Sequence, residues 1–469
     1  MASRTLLPGK STFRPPMPIA RTALSAPLCA WLALSASPAR AQAPEASGTP
    51  ASGEAAAAEP LTFERAVALA AERNETALAA DERAKAASAR VAQARAFFFP
   101  ELTATGRYTR RSEETTRNVG GEEIVLQRRN ALSANLNARL PLFNARGFPL
   151  FQAAKLQGEA AGLDAVEARR QVSFEAASAF LSTLAQQQFF QAAEQRLTFA
   201  RKALEDAQAR ARAGLASTND VTRAELEVAS AEVDLTNARN SAQTSRLELG
   251  YLLVSPVDGP LAPPQALLAD AAQPPTPFDA LAQGAADRRP DILASRLRVK
   301  ALEANAREPL ARLFPSLDAF ATYQLTNEGG LNARTSNGFF GLDLTWNFFD
   351  GGERYAERRE RQALARAAAL EEQAGTRRVD VDIQRARVAL ENARAALSQS
   401  ELAVRAARQN AEEQGILYRE GLSTALTVAD ASLQLFEAEV ALAQSRYALG
   451  VALLGLRSAV GLNPLGKEP

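Results

Sequence analysis

Four segments of the chain alternate apolar and polar residues with a period of two. In 102–110, Leu102, Ala104, Gly106 and Tyr108 interleave with Thr103, Thr105, Arg107 and Thr109. In 132–143, Leu132, Ala134, Leu136, Ala138, Leu140 and Leu142 oppose Ser133, Asn135, Asn137 and Arg139. Further on, Leu317, Ala319, Ala321, Tyr323 and Leu325 oppose Asp318, Thr322 and Gln324, and Phe340, Leu342, Leu344, Trp346 and Phe348 oppose Gly341, Asp343, Thr345 and Asn347. Successive side chains of an extended strand point to opposite faces, so the pattern predicts β-strands over 102–110, 132–143, 316–326 and 339–349. Each has one apolar and one polar face, and strands of this length cross a bilayer when tilted. A soluble sheet packed on helices would alternate as well.

Between these segments the pattern lengthens. From Gly147 to Ala213 the chain is rich in Ala, Glu, Gln, Arg and Leu with no proline after Pro149, and 352–420 reads the same way. These predict long helices over 147–213 and 352–420, rods of about 100 Å at 1.5 Å per residue. Shorter helices are expected near Glu75 to Ala96, over 217–253 and over 424–460. Laid end to end, short helices match the length of a long one. Abundant alanine permits close antiparallel packing, and Leu and Val at three- and four-residue spacing supply a seam. An isolated coiled coil is the alternative to a helical wall.

The order helix, aromatic-proline, strand, strand, long helix, glycine break, helix is written twice. Phe63 to Ala104 aligns without gaps on Phe278 to Ala319, setting Phe99-Pro100 on Phe314-Pro315, and "PLFNARG" from Pro141 aligns on "NFFDGGE" from Asn347. Gly214, Leu215, Ser217 and Val221 fall on Gly421, Leu422, Thr424 and Val428. The chain reads as an internal duplication: a first structural repeat over 61–253, a proline-rich linker over 254–277, a second repeat over 278–463 and a tail over 464–469. Loops containing Gly120-Gly121 and Gly329-Gly330 join the strands of each pair.

Composition narrows the function. Of 469 residues, Lys and Arg exceed Asp and Glu by one, giving a net charge of +1, so a phosphate-driven nucleic-acid partner has no support. Histidine is absent, which removes the commonest general base and the usual zinc ligand. Carboxylate pairs such as Glu122-Glu123 fall in an expected loop with no apolar pocket signature, and catalysis is not expected. No cofactor is expected either, and the two methionines, Met1 and Met17, give no support for a metal relay. Cys29 lies in a short apolar run behind basic residues and before Ala39-Arg40-Ala41. This predicts a signal peptide over 1–41, cut before Gln42, with a flexible leader over 42–60. The run is short for a membrane anchor, and Leu28 stands where a lipidated cysteine would want a small residue.

Four strands leave two open edges, and lipid cannot satisfy the backbone groups along them. Copies must therefore close the sheet. Two would give eight strands and a filled interior, whereas three would give twelve and a lumen. Phe98, Phe99, Phe143, Phe314, Trp346, Phe348 and Phe349 all fall where strands meet helices, the place of an interfacial girdle in a membrane barrel. Core packing could use the same residues.

These residues together resemble the TolC-like outer-membrane efflux proteins. The resemblance covers about Leu61 to Asn463 and rests on the ordered set: "FPEL" and "FPSL" before strands, "FFDGG" after one, "RRPDI" at Arg288 to Ile292, and paired "GL-x-[ST]" turns. It implies a mainly α chain with a membrane β-barrel, in which a homotrimer builds a twelve-stranded barrel on an α-helical tunnel of antiparallel coiled coils. It also implies an outer-membrane location with a long periplasmic extension. The function implied is a passive duct of a tripartite efflux or type I secretion system, in contact with outer-membrane lipid, a periplasmic adaptor and an inner-membrane pump. By this resemblance Gly214, Leu215, Ser217, Gly421, Leu422 and Thr424 are adaptor-docking turns. Asp430 stands at an acidic position facing the lumen at a periplasmic gate, and Tyr418 and Asp220 share a closing network. Two positions depart from the family pattern: Thr427 replaces a second acid, and Ser423 replaces the basic partner, leaving Arg419 to substitute. A simple helix turn at each glycine, and solvated side chains at the rest, are the plain alternatives. The competing function is a periplasmic coiled-coil adaptor or structural protein without a pore.

Overall fold

A computed structural model describes residues 60–273, 282–329 and 334–468. The expected signal peptide, nearly all of the leader, the end of the linker and Gly330 lie outside the described residues. After α1 (Phe63–Arg73) and α2 (Glu75–Ala96) come strand β1 (Glu101–Arg110), a hairpin of β2 (Thr115–Val119) and β3 (Glu122–Gln127), and strand β4 (Asn130–Phe143). The long α3 (Gly147–Arg212) and returning α4 (Thr218–Leu253) follow, then α5 (Gln265–Ala272), α6 (Ala285–Arg288), α7 (Pro290–Asn305) and α8 (Glu308–Ala311). Strands β5 (Ser316–Thr326) and β6 (Ser336–Thr345), the long α9 (Glu353–Arg419) and α10 (Ala425–Ala459) complete the chain.

Strands β1, β4, β5 and β6 form one antiparallel sheet in that order, so β1 and β6 are its edges. Register keeps the alternation in phase across it. Leu102 faces Ala138 and Ala138 faces Ala321, while Leu136 lies between Ala104 and Tyr323, and Ala321 faces Phe340. One face is therefore continuously apolar, and its Leu102, Leu136, Tyr323, Phe340 and Leu342 are exposed in the single chain. The other face carries Thr103, Asn137 and Thr322 in one row, with Thr322 donating to Asn137 at 3.0 Å. Phe320 also lies on this polar face and reaches across β6. A Cβ on Gly341 would stand 2.9 Å from its ring, so any larger residue there would force the ring to shift.

Two expectations need correction. Strand β6 spans Ser336–Thr345, not 339–349, because its last partner is Ser316, directly after Pro315. Proline has no N–H to continue the ladder. Beyond it, the Trp346 indole donates to the Leu313 carbonyl at 3.0 Å. The loop expected around Gly120-Gly121 is in fact the β2–β3 hairpin, with both glycines at positive φ (68° and 96°). A two-residue turn of that hand matches strand twist.

Below the sheet, α1 and α5 pack against α3, α4, α9 and α10 around Phe63, Phe180, Leu181, Leu249, Leu253 and Leu453. The Phe63 and Phe180 rings meet edge to face at 5.8 Å. Asn74, buried at the α1–α2 break, caps α2 through Thr76 N–H and donates to the Leu252 carbonyl. The "RRPDI" residues serve a second cluster: Pro290 opens α7, Arg289 pairs with Asp291 at 2.8 Å, and Ile292 packs with Val379, Ile383 and Val460. At the sheet–helix junction Glu308, 1% exposed, is held by Arg146 (2.6 Å), Arg312 (2.8 Å) and Arg361 (3.1 Å).

From this body α3/α4 and α9/α10 extend as two helical hairpins. Ala224, Ala231, Ala238 and Ser245 of α4 are buried at strict seven-residue spacing, as are Ala193, Ala200 and Ala207 of α3. Small residues at a sustained heptad let the helices approach closely and supercoil left-handedly.

Candidate functional site

The hairpin tips repeat one construction. At the first, the N–H of Leu215 donates to the Arg210 carbonyl (2.9 Å) and that of Gly214 to the Ala211 carbonyl (3.0 Å). At the second, Leu422 donates to Leu417 (2.8 Å) and Gly421 to Tyr418 (3.1 Å). This paired closure needs a left-handed residue after the helix, and Gly214 and Gly421 supply φ of 73° and 77°. No neighbour lies near either, so glycine is required by backbone conformation alone. Ser217 and Thr424 then cap α4 and α10 by accepting from the backbones of Asp220 and Thr427. Asp220 and Thr427 return the bond with their side chains, completing capping boxes. Leu215 and Leu422, each 77% exposed, are carried outward by these turns.

The residues expected at a gate occupy different surroundings. Asp220 is engaged in its capping box. Thr427 substitutes for an acid in the matching box, and Ser423 donates to Gln414 (2.9 Å) and Thr427 (3.0 Å), tying the second turn back onto α9. Asp430 is exposed on α10 and makes no side-chain hydrogen bond or ion pair among the described residues. Arg419 projects into solvent, but its carbonyl is taken. Arg210, which sequence reasoning missed, donates to that carbonyl and lays its guanidinium 4.8 Å from the centre of the Tyr418 ring. Tyr418 is 9% exposed, and its buried hydroxyl meets no hydrogen-bond partner among the described residues. Burial pushes its phenol above the usual tyrosine range, opposed by the Arg210 charge and reinforced by Asp220 and Asp206. The chain thus brings Arg210 and Tyr418 together, but not Asp220, Arg419 and Asp430 into one network.

Between the hairpins runs a groove of about 560 Å³ that ends at this contact. Phe199, Ile416, Val428 and Leu435 line it with Asp206 and Arg408. At the opposite end of the chain, Phe99, Phe143, Phe314, Trp346, Phe348 and Phe349 are all exposed at the sheet–helix junction. Phe98 instead packs among Phe97, Phe148 and Phe151. Among the described residues no helix is long and apolar enough to cross a membrane, and no group of side chains could hold a metal ion.

The model of the outer membrane efflux protein family matches residues 66–253 and 281–462. The chain belongs to that family. Like other outer membrane efflux proteins it is a channel-family member and not a member of an enzyme family. No curated protein matches it. Among solved structures, the outer membrane protein VceC from Vibrio cholerae is similar at 20% identity and TM-score 0.68, covering 86% of this chain and 96% of that one. The Campylobacter jejuni CmeC outer membrane channel is similar at 16% identity and TM-score 0.69, covering 90% and 93%. The open-state Neisseria gonorrhoeae MtrE outer membrane channel is similar at 19% identity and TM-score 0.68, covering 87% and 90%. These likenesses carry the fold: a short sheet continued by long helical hairpins. They give no support to the adaptor alternative.

Proposed function

We propose that this outer membrane efflux protein works as a homotrimer, in which three four-stranded sheets close a twelve-stranded barrel and the hairpins continue its lumen as a tunnel. The observation that carries this reading is the sheet itself, with one apolar face in register across all its strands and two unpaired edges. Pairing β6 of one copy with β1 of the next satisfies both edges, and the apolar face then meets lipid. The helices support the same closure. On α4, Leu226, Val233 and Leu247 are exposed, and on α9, Val381, Val388 and Leu402, all on heptad spacing. These are the two outer helices of the protomer, since α3 and α10 pack between them. A neighbour's α4 against α9 buries both stripes.

The duct has no machinery of its own to drive export, so an inner-membrane pump supplies the energy. A periplasmic adaptor meets it at the exposed turns, Gly214, Leu215 and Ser217 with Gly421, Leu422 and Thr424, and along the groove between hairpins. Asp430, Tyr418, Asp220 and Arg419 stand at the narrowing of the tunnel. Detergent-extracted protein should run as a heat-modifiable trimer and conduct ions in a planar bilayer, and Val388→Glu with Leu402→Glu should leave monomers. Recovery of the native chain as a soluble, detergent-free monomer would overturn the reading.

A further inference from the structure

Within the sheet two glycines of β6 lie under aromatic rings, and the glycine of the far edge does not. Phe320 of β5 faces Gly341 and Tyr323 faces Gly338, and a Cβ on these glycines would stand 2.9 and 3.2 Å from the opposing ring. Gly106 of the edge strand β1 has nothing within 4 Å of where its Cβ would be. On the other edge, Phe340 of β6 is 89% exposed, the most open large apolar side chain among the described residues. The two edges match in length, Glu101–Arg110 and Ser336–Thr345 being ten residues each. Their free backbone groups match as well. Arg111 donates inward to the Arg129 carbonyl and Thr335 accepts inward from Thr326, so on both edges the alternate set, which includes Gly106 and Phe340, turns its N–H and C=O outward.

Resting on the trimeric reading, we infer that β6 pairs with the partner subunit's β1 in one register, Thr345 against the partner's Glu101 and Ser336 against the partner's Arg110, which lays Phe340 over Gly106 of the partner subunit. A ring across the strand supplies the packing that a strand glycine lacks. Sliding the seam by one residue would turn polar side chains to the apolar face. Sliding it by two leaves two residues of each edge unpaired. One such slip sets Gly338 against the partner's Gly106 with no side chain between them, and the other moves Phe340 off it onto the partner's Tyr108. The full-length register also gives the barrel its tilt. A row across the sheet runs from Glu101 through Arg139 and Phe320 to Gly341 and then meets the partner's Thr105, four residues further along β1. Three copies accumulate a stagger of twelve residues over twelve strands. At a rise of about 3.3 Å and a spacing of about 4.8 Å the strands tilt by about 35°, at the lower end of the range of closed barrels.

Cysteine crosslinking reads the register directly. In a Cys29→Ser background, Asp343→Cys is combined in turn with Thr103→Cys, Glu101→Cys and Thr105→Cys, all on the polar face of the sheet. On oxidation, Asp343→Cys with Thr103→Cys should give a covalent trimer on a denaturing gel, and the other two combinations should leave mostly single chains. Predominant crosslinking through position 101 or 105 would overturn the register, as would no crosslinking at all in a protein that still runs as a heat-modifiable trimer. Phe340→Ala and Gly106→Val should each lower the temperature at which the trimer dissociates, although valine suits a strand and meets nothing at that position in the single chain. The double variant should lose little more than either change alone, and additive losses would remove the contact of ring with glycine. A parent protein that runs only as single chains would sink the trimeric reading itself, and the seam with it.

Discussion

Arg139 of β4 and Asp318 of β5 form a 2.6 Å ion pair on the polar face of the sheet, joining segments on either side of the linker. Asp318 is 7% exposed, whereas Arg139 is open to solvent and also approaches Asp343 at 4.0 Å. Arg139→Ala would leave a covered carboxylate with no cation. Screening of the exposed arginine limits the loss to about 1 kcal/mol. The temperature at which the oligomer dissociates on a gel should fall, with Arg139→Lys intermediate because it keeps the charge but not the planar fork. An unaltered dissociation temperature in Arg139→Ala would show that the pair contributes nothing.

Glu308 sets an acid limit. Burial alone would raise its carboxyl, but hydrogen bonds and charge from Arg312 and Arg146 outweigh this and hold it below the ordinary value of 4.5. A depressed folded-state pKa contributes stability that is present above the unfolded value and lost as pH falls through the folded one. Denaturation midpoints should therefore be flat above about pH 5 and drop below pH 4.5. Glu308→Gln should lower the midpoint at neutral pH and flatten the acid limb, as read by denaturant titration across pH.

Leu215 and Leu422 protrude without supporting the turns that carry them. Changing both to serine should leave the melting temperature unmoved and weaken adaptor capture by about tenfold, the loss expected for truncating central apolar contacts. Equal crosslinking to the adaptor before and after the change would place docking elsewhere.

Asp430 offers a free carboxylate on α10. If three copies converge at the narrow end of the tunnel, they attract cations into it. Asp430→Ala should raise the concentration of a multivalent cation needed to block conductance by roughly tenfold, equivalent to about 1.4 kcal/mol. Unchanged block would remove Asp430 from the constriction.

Much of this was legible in the chain. The alternation of Leu132 to Leu142 gives a two-faced strand because backbone geometry alone sends successive side chains apart. Gly214 and Gly421 mark turns because a left-handed residue is needed there and glycine adopts it without strain. Less legible was the β2–β3 hairpin, whose signal was the Gly-Gly pair between Val119 and Glu122. Arg210 gave only its place on α3, which identifies a face but no partner. Nor was it legible that the Asp220 carboxylate is engaged locally, where Ser217 three residues earlier holds it in a cap.

By itself the sequence determined the local periods, the turns, the apolar face of each strand and the family. Only the tertiary structure decided the strand order β1-β4-β5-β6, the pairing of Arg139 with Asp318, and which ring Arg210 covers. Period and propensity act between residues a few positions apart and are written in the chain's own spacing. Contacts between residues some two hundred positions apart depend on how helices and strands are rotated and set against one another, which is fixed when their buried faces pack together.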